Sequence, residues 1–444
     1  MKLFDIAVIG AGIAGCLAAR TAQRAGLSVA LLDRKPSKKI GWKVCGDGLG
    51  TRHLRWLGDL GVGFSPAELI ECLPDTACLV SPDKQTTIDI SLNGKLATIN
   101  RYALGQHLFS DLEAGGVEVF CKAHVHSFRH EKGDVIVRGR RNGPQIRARA
   151  VIDASGVNSA VRRHLAVTDA SLQLDPSEKY ICHRAIIKIN SAWDSTTMRF
   201  EFNQIYFRGG YAWIFPKTEP FLNIGLGIPG HRVQQGSPKI TFKEYFKDRF
   251  EISQVVEERG GSVPTTHPLA TNVFDKFILI GDAGQVVNPI HGGGIGSSLY
   301  SGYLAGQTVV NALESGDASQ TSLWKFNTNL FYRYGARFML LDLFRLLLQS
   351  LSNDQLSRCF AEALLPFNQL FFLRDYKALR AALETPSINL WPDSPIAQLQ
   401  ELPRALQRLH DLVSRHPKKI QEFSEWTRMY RSFYGWWFKI CQRQ

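Results

Sequence analysis

Three glycines near the N-terminus, Gly10, Gly12 and Gly15, have the spacing of a dinucleotide-binding turn. The apolar run 5–9 before them predicts a strand, and the alanine-rich stretch after them predicts a helix. Gly10 permits a tight turn, Gly12 lets the backbone approach a pyrophosphate, and Gly15 lets helix and strand pack closely. Asp33 ends the next apolar run, where its carboxylate can accept a hydrogen bond from a ribose hydroxyl. The pattern therefore predicts a site for the nucleotide of either NAD or FAD.

Two later segments also place small residues at the end of a predicted strand. The segment 153–156 ends an apolar strand in Asp-Ala-Ser-Gly, and Asp282 ends another in Gly-Asp. A glycine-rich run, 292–296, then leads into a helix whose first backbone N–H groups can bind an anion. The carboxylate of Asp282 can accept a hydrogen bond from a ribityl hydroxyl. Both segments indicate backbone that passes close to a cofactor.

A cysteine and three aromatic residues could serve chemistry on an apolar substrate. Cys45 lies in a glycine-rich stretch, 44–50, and could face a flat ring; a buried thiol in a surface turn is the structural alternative. Tyr211, Trp213 and Phe215 alternate along a predicted strand, so they share one of its faces. That face is equally suited to core packing and to the wall of an apolar substrate site.

The composition bounds the class of protein. The 444 residues carry a formal charge of +13, which favours an anionic partner. No nucleic-acid-binding motif accompanies the charge, so we expect no nucleic acid partner. The eight cysteines show no C-x-x-C pair and no metal-like spacing with histidine, which predicts reduced thiols, no metal site and a cytoplasmic protein. The first strand begins too early to leave room for a signal peptide, and no apolar stretch is long enough to span a membrane, so we expect a soluble or peripheral protein.

The predicted elements change character along the chain. Two short strands within 74–95 form a hairpin, alternating strands between about 165 and 268 predict an antiparallel sheet, and from about 316 the pattern is helical. Near the C-terminus five aromatic side chains share one helical face: Trp426, Tyr430, Phe433, Tyr434 and Trp437. That face would dock on the body of the protein or, alternatively, on a membrane surface.

The three segments with glycines at strand ends together resemble the FAD-binding fold of aromatic-ring hydroxylases and related flavoproteins. The resemblance implies FAD rather than NAD, because an NAD dehydrogenase would not need the second and third segments. The loop 44–48, the Tyr-x-Trp-x-Phe-Pro strand 211–216 and the run 291–296 look like those of the geranylgeranyl reductase family, and the similarity extends over roughly residues 4–350. This family has a proline where the chain has Arg208. Its members saturate C=C bonds of geranylgeranyl chains, on membrane ether lipids in archaea and on chlorophyll and quinone side chains in phototrophs.

The resemblance also implies roles for individual residues. Besides Gly10, Gly12 and Gly15 of the glycine motif, the contacts implied for FAD are Ala14, Asp33, Cys45, Gly46, Gly48, Arg101, Val125, Asp282, Gly294 and Ile295. The substrate wall would be Tyr211, Trp213 and Phe215, and the candidate catalytic residues are Cys45, Tyr211, Trp213 and His291. Reduction of an isolated alkene needs a proton as well as a hydride. Cys45, His291 or a water could supply it, and the sequence leaves this choice open.

The expected fold class is α/β, with a Rossmann-like FAD-binding domain, an inserted antiparallel β-sheet substrate domain and a C-terminal helical region. The expected bounds are 1–73, 99–164 and 269–315 for the three parts of the FAD-binding domain, 74–98 for a hairpin belonging to the substrate domain, 165–268 for the antiparallel substrate domain, and 316–444 for the helical region.

The partners implied are a polyprenyl lipid substrate and an external reductant, either NAD(P)H or a ferredoxin-like protein. A peripheral contact at the cytoplasmic face of the membrane is a further option. The lipid phosphate would meet Arg184, Lys188, Arg208 or Lys217, unless these form a solvated basic surface. Two alternative functions stay open: a flavin-dependent monooxygenase of a small hydrophobic substrate, and a non-catalytic lipid-binding flavoprotein.

Overall fold

The computed structural model describes residues 1–140, 143–167, 169, 172–235, 237–372, 375–382, 391–392 and 394–442. Its strands are β1 (Leu3–Ile9), β2 (Val29–Leu32), β3 (Gly48–Gly50), β4 (Ile70–Cys72), β5 (Thr76–Val80), β6 (Thr87–Ser91), β7 (Leu96–Ile99), β8 (Glu118–Phe120), β9 (Val125–Glu131), β10 (Asp134–Gly139), β11 (Gln145–Asp153), β12 (Tyr180–Ile189), β13 (Thr197–Glu201), β14 (Tyr211–Pro216), β15 (Phe221–Pro229), β16 (Ile252–Val263), β17 (Val273–Phe274) and β18 (Phe277–Leu279). Its α-helices are α1 (Ile13–Arg24), α2 (Thr51–Asp59), α3 (Pro66–Leu69), α4 (Arg101–Ala114), α5 (Ala160–Leu165), α6 (Gln204–Phe207), α7 (Pro238–Phe246), α8 (Ile295–Glu314), α9 (Gln320–Leu323), α10 (Lys325–Leu330), α11 (Ala336–Ser350), α12 (Asn353–Ala361), α13 (Phe367–Phe372), α14 (Tyr376–Ala382), α15 (Ala397–Gln400), α16 (Leu402–Ser414) and α17 (Phe423–Cys441).

A mostly parallel sheet carries the three glycine-bearing segments. Its strands run in the order β17-β18-β11-β1-β2-β8, and the antiparallel hairpin β9-β10 continues it from β11. The second half of β1 is apolar and buried, as expected for a strand covered on both faces. Ile9 pairs with Asp153, and Asp153 pairs with Leu279, so the carboxyl ends of three parallel strands lie side by side. The segments that follow these strands therefore meet at one edge of the sheet.

Helices α1 and α8 bring the first and third segments into contact. A side-chain carbon at Gly302 of α8 would lie 2.2 Å from the backbone oxygen of Ala14 in α1. Only glycine permits this approach, because the backbone of α1 has no room to retreat from the sheet it covers. The glycine run before α8 is thereby held beside the start of α1.

A second sheet holds the aromatic strand β14. Its order is β16-β12-β15-β14-β13-β5-β6, and the predicted hairpin β5-β6 joins it through β13. The edge strand β16 was not predicted, because its residues are mostly exposed and polar and lack an apolar alternation. The division into cofactor and substrate domains stays a prediction. A small sheet of β3, β7 and β4 crosses the expected bounds near 73 and 98, which stay a prediction.

The aromatic face of α17 is packed against the body of the protein. Trp426 is 3% exposed and Trp437 is fully buried. Their indole N–H groups donate to the backbone oxygens of Leu412 and Leu343, each at 2.9 Å. Of the two interpretations open from the sequence, docking on the body is therefore the correct one. Within the described ranges, no helix combines the length and the apolar character that crossing a bilayer requires.

The ion pair between Glu178 and His267 contacts α17 through the hydroxyl of Tyr430. The imidazole of His267 lies 3.1 Å from the carboxylate of Glu178, and its other ring nitrogen lies 2.7 Å from the hydroxyl of Tyr430 in α17. Burial disfavours both charges of the pair, but the hydrogen bond and the opposite charge of each partner outweigh burial. As a result the pKa of Glu178 is lowered from 4.5 to about 2, and the pKa of His267 is raised above 6.5.

We expect this pair to make the stability of the protein depend on pH. The contribution of His267 is complete below pH 6.5 and is lost as the pH rises through its raised pKa. The contribution of Glu178 is complete above pH 4.5 and is lost as the pH falls towards 2. The thermal unfolding midpoint should therefore fall above pH 6.5, and it should fall less in the His267→Gln variant. An equal fall in the two proteins would contradict this role of the pair.

Candidate active site

Two cavities meet at the carboxyl edge of the parallel sheet. The larger, of about 600 Å³, is lined by the predicted cofactor residues Gly10, Gly12, Ala14, Asp33, Arg101, Val125 and Asp282. The smaller, of about 260 Å³, is lined by Cys45, Gly46, Gly48, Arg101, Tyr211, Trp213, Phe215, Asp282, His291, Gly294 and Ile295. Arg101 and Asp282 line both cavities, so the two spaces adjoin each other. Gly15 lines neither, and a side chain there would lie 1.9 Å from the oxygen of Gly10, so this glycine serves packing.

The nucleotide end of the larger cavity is built by the turn from β1 into α1. Gly10 adopts φ +104°, a left-handed conformation that favours glycine. Gly12 precedes α1, and no side chain caps the N–H groups that begin this helix. The carboxylate of Asp33 accepts from the backbone N–H groups of Ala11 and Lys35, each at 2.7 Å, and so is fixed beside the turn.

These residues fit FAD. A side-chain carbon at Gly12 would meet no atom within 4 Å, so the turn leaves a space that a pyrophosphate can fill at the start of α1. The Nε of Arg101 is buried without a hydrogen-bond partner among the described residues, as expected for a donor that awaits a ligand. At the other end, Asp282 forms an ion pair with Lys43 and lies near Gly294, where α8 begins without a side-chain cap.

A charged side chain at position 12 should weaken FAD binding while the protein still folds. We expect Gly12→Asp to fold, because its side chain enters open space and can cap α1, but to bind FAD about 100-fold more weakly, because the carboxylate would repel the pyrophosphate. The neutral variant Gly12→Asn is the matched control and should lose much less affinity. Titration of the apoprotein with FAD, followed by flavin fluorescence, measures both. Equal losses of FAD affinity in Gly12→Asp and Gly12→Asn would show that the size of the side chain, and not its charge, weakens binding.

The smaller cavity has an aromatic and aliphatic wall. The rings of Tyr211 and Phe215 in β14 lie 5.7 and 5.0 Å from the ring of Phe200 in the neighbouring β13. Phe371 and Phe372, at the end of α13, close the cavity from the C-terminal region. The sequence left core packing and a substrate wall open for β14; its three aromatic residues are both packed and exposed to the cavity.

Asn223 ties the Cys45 loop to the aromatic strand. It is fully buried in β15, its Nδ2 donates to the oxygen of Cys45 and to the carboxylate of Asp47, each at 2.9 Å, and its Oδ1 accepts from the indole of Trp213 at 2.9 Å. Sequence reasoning missed this residue. The available signal was a lone amide within an otherwise apolar strand, because a buried polar side chain requires partners.

The candidate proton donors differ in their surroundings. Burial, and then the charge of Asp47, raise the pKa of the Cys45 thiol, so the thiol keeps its proton at neutral pH. Burial also raises the pKa of Tyr211, whose hydroxyl donates to the backbone oxygen of His291 at 2.6 Å. The Nδ1 of His291 accepts from the N–H of Gly293 at 3.1 Å, which places the proton of a neutral ring on Nε2.

The basic residues proposed for the lipid phosphate lie elsewhere. Arg184 pairs with Glu257 at 3.1 Å, and Lys217 pairs with Asp47 at 3.3 Å and also with Glu71. Neither of them, nor Lys188 or Arg208, is among the described residues that line the smaller cavity.

Comparison with known proteins gives consistent matches. The profile of the geranylgeranyl reductase catalytic domain matches residues 179–263, and that of lycopene cyclase protein matches residues 5–174. A digeranylgeranylglycerophospholipid reductase of Sulfolobus acidocaldarius is 30% identical, with 96% of each chain covered. Digeranylgeranylglycerophospholipid reductase 2 of Methanopyrus kandleri is 30% identical over 81% of this chain and 90% of its own. A geranylgeranyl bacteriochlorophyll reductase-like protein of Thermoplasma acidophilum shares the fold, with a TM-score of 0.74 and 22% identity over 88% of this chain and 99% of its own.

The match to these reductases, together with the two adjoining cavities, defines an FAD-dependent oxidoreductase. The match to the Sulfolobus relative covers almost the whole of both chains. The chain belongs to the geranylgeranyl reductase family.

Proposed function

We propose that the protein saturates isolated C=C bonds of geranylgeranyl chains in isoprenoid lipids of the archaeal type. The observation that carries this proposal is the partly aromatic cavity that adjoins the cavity expected to hold FAD. The relatives from Sulfolobus acidocaldarius and Methanopyrus kandleri are named as reductases of a digeranylgeranyl lipid.

Reduction of an isolated alkene adds a hydride to one carbon and a proton to the other. Reduced FAD supplies the hydride when it is bound. No carbonyl group is present to accept charge, so positive character develops at the more substituted alkene carbon. The rings of Tyr211, Trp213 and Phe200 stabilise such charge through their electron-rich faces and keep water away from it.

Cys45 is the proton donor in this proposal. Its thiol lines the cavity and holds a proton at neutral pH, whereas the hydroxyl of Tyr211 is committed to the oxygen of His291. The S–H bond breaks as the new C–H bond forms, and the thiolate then regains a proton from solvent. The hydrogen bond from the Asp47 N–H to Sγ, at 3.3 Å, favours the thiolate while it exists.

The electron donor and the cellular site form a further part of the proposal. We expect NAD(P)H or a ferredoxin-like protein to reduce the flavin. The lipid substrate and the charge of +13 favour a peripheral position at the cytoplasmic face of an acidic membrane. The contact surface would differ from the aromatic face of α17, because that face is packed inside the protein.

Anaerobic turnover tests the proposal. Protein with chemically reduced FAD is mixed with an unsaturated digeranylgeranyl phospholipid, and mass spectrometry follows the gain of two hydrogens per bond. Flavin reoxidation that depends on the lipid and is matched by saturated product supports the proposal. Rapid oxidation in air coupled to a hydroxylated product would identify a monooxygenase instead, and lipid binding without reoxidation would identify a non-catalytic flavoprotein.

A further inference from the structure

The smaller cavity has one basic end, and its other lining residues include both charged and apolar side chains. Arg52, from α2, and Tyr334 and Arg337, from the turn before α11 and its first residues, line this end. Met198, Phe200 and Phe371 give the cavity aliphatic and aromatic surface, while Lys43, Arg101 and Asp282, which also line the larger cavity, add charge where the two cavities adjoin. The cavity thus offers apolar surface to a long chain and a basic cluster to a charged head group.

Tyr334 is a buried polar group that awaits a partner. Its side chain is 6% exposed, and its hydroxyl has no hydrogen-bond partner among the described residues. Such a hydroxyl costs free energy unless a ligand or water satisfies it. Because the side chain lines the cavity, a ligand in the cavity can accept its hydrogen bond.

Three guanidinium groups create a positive potential around this hydroxyl. Burial raises the pKa of Tyr334, and the charges of Arg333, Arg52 and Arg337 each act against that rise. The guanidinium of Arg333 lies 5.6 Å from the ring of Tyr334. Burial, and also the charge of Arg333, lower the pKa of Arg52, as expected where like charges converge.

We propose that Arg52, Arg337 and Tyr334 bind the phosphate ester of the lipid substrate. Guanidinium groups match phosphate oxygens in two-point hydrogen bonds, and the phenol adds one uncharged donor. This assignment rests on the proposed function, and it replaces Arg184 and Lys217, which are not among the described residues that line the smaller cavity. The phosphate would hold the head at the basic end while the chain lies along the aromatic wall.

Binding of two ligands with the same chain tests the assignment without requiring turnover. Geranylgeranyl phosphate and geranylgeraniol differ only in the phosphate, and thermal shift of the FAD-loaded protein gives a Kd for each. We expect Arg52→Gln to weaken binding of the phosphate about 10- to 100-fold and Tyr334→Phe to weaken it less, with little change for the alcohol. Arg52→Lys should restore part of the loss. Arg55→Gln, at an exposed position of the same helix, is the matched control and should change neither ligand.

Inorganic phosphate distinguishes a phosphate site from a site specific for the lipid. If it competes with geranylgeranyl phosphate in the wild-type protein but not in Arg52→Gln, the subsite recognises phosphate itself. If it does not compete but the chain-bearing phosphate still depends on Arg52, the subsite requires the attached chain. Equal losses for phosphate and alcohol in Arg52→Gln, or equal effects of Arg52→Gln and Arg55→Gln, would overturn the assignment. Failure of the wild-type protein to reduce any lipid would instead contradict the proposed function.

Discussion

Replacing Cys45 with alanine is expected to slow alkene reduction by about 10²- to 10⁴-fold, the range typical of a lost general acid. Burial keeps this thiol protonated in the cavity wall, and its proton is not donated to a backbone oxygen of the described residues, unlike that of Tyr211. Bound FAD should remain, because the nucleotide end of the site is built by the β1–α1 turn. Stopped-flow measurement of flavin reoxidation by lipid, under anaerobic conditions, gives the rate of the chemical step.

Cys182 offers the matched control. Its thiol also lines the smaller cavity, and burial raises its pKa to about 12. We expect Cys182→Ala to stay within a few-fold of the wild-type rate. A large loss of rate in Cys182→Ala together with a small loss of rate in Cys45→Ala would identify Cys182 as the proton donor. Small losses of rate in both variants would favour His291 or a water as the proton donor.

Asn223→Leu is expected to lower the free energy of unfolding by about 3 kcal/mol or more. The change preserves size but leaves the indole N–H of Trp213 and the oxygen of Cys45 without a buried partner, at about 1–3 kcal/mol each. It also removes one hydrogen bond of the Asp47 carboxylate, which keeps its ion pair with Lys217. Urea unfolding of the FAD-loaded protein measures the loss. Asn311→Leu, at an exposed position of α8, should change stability by about 0.5 kcal/mol or less.

The same variant should release the Cys45 loop from β15, where Asn223 lies. We expect faster alkylation of Cys45 by iodoacetamide in Asn223→Leu under native conditions, because the hydrogen bond that fixes its backbone is absent. Mass spectrometry of the modified peptide identifies the thiol. An alkylation rate equal to that of the wild-type protein, despite lower stability, would show that Asn223 stabilises the fold without positioning the loop.

The cofactor end of the site was the more predictable part. Gly10, Gly12 and Asp33 follow rules of local backbone geometry, and the strand pairing then brings their segment beside Asp282 without further information. Asn223 could not be found in this way, because its partner Cys45 lies 178 residues away in the sequence. The basic end of the cavity could not be predicted for the same reason, because Arg52 and Tyr334 are far apart in the sequence and line one cavity only in the folded chain. The exposed strand β16 carries too little apolar pattern to be recognised.

The wall formed by Phe371 and Phe372 belongs to the C-terminal helices, whereas the FAD cavity belongs to the parallel sheet. Under the proposed function, the residues that hold FAD and the residues that limit the space for the hydrocarbon chain therefore lie in different parts of the polypeptide. Substitutions in α13 can change the depth of the space offered to a chain while the redox centre stays as it is. A family built in this way can diversify from one hydrocarbon length to another through changes in α13.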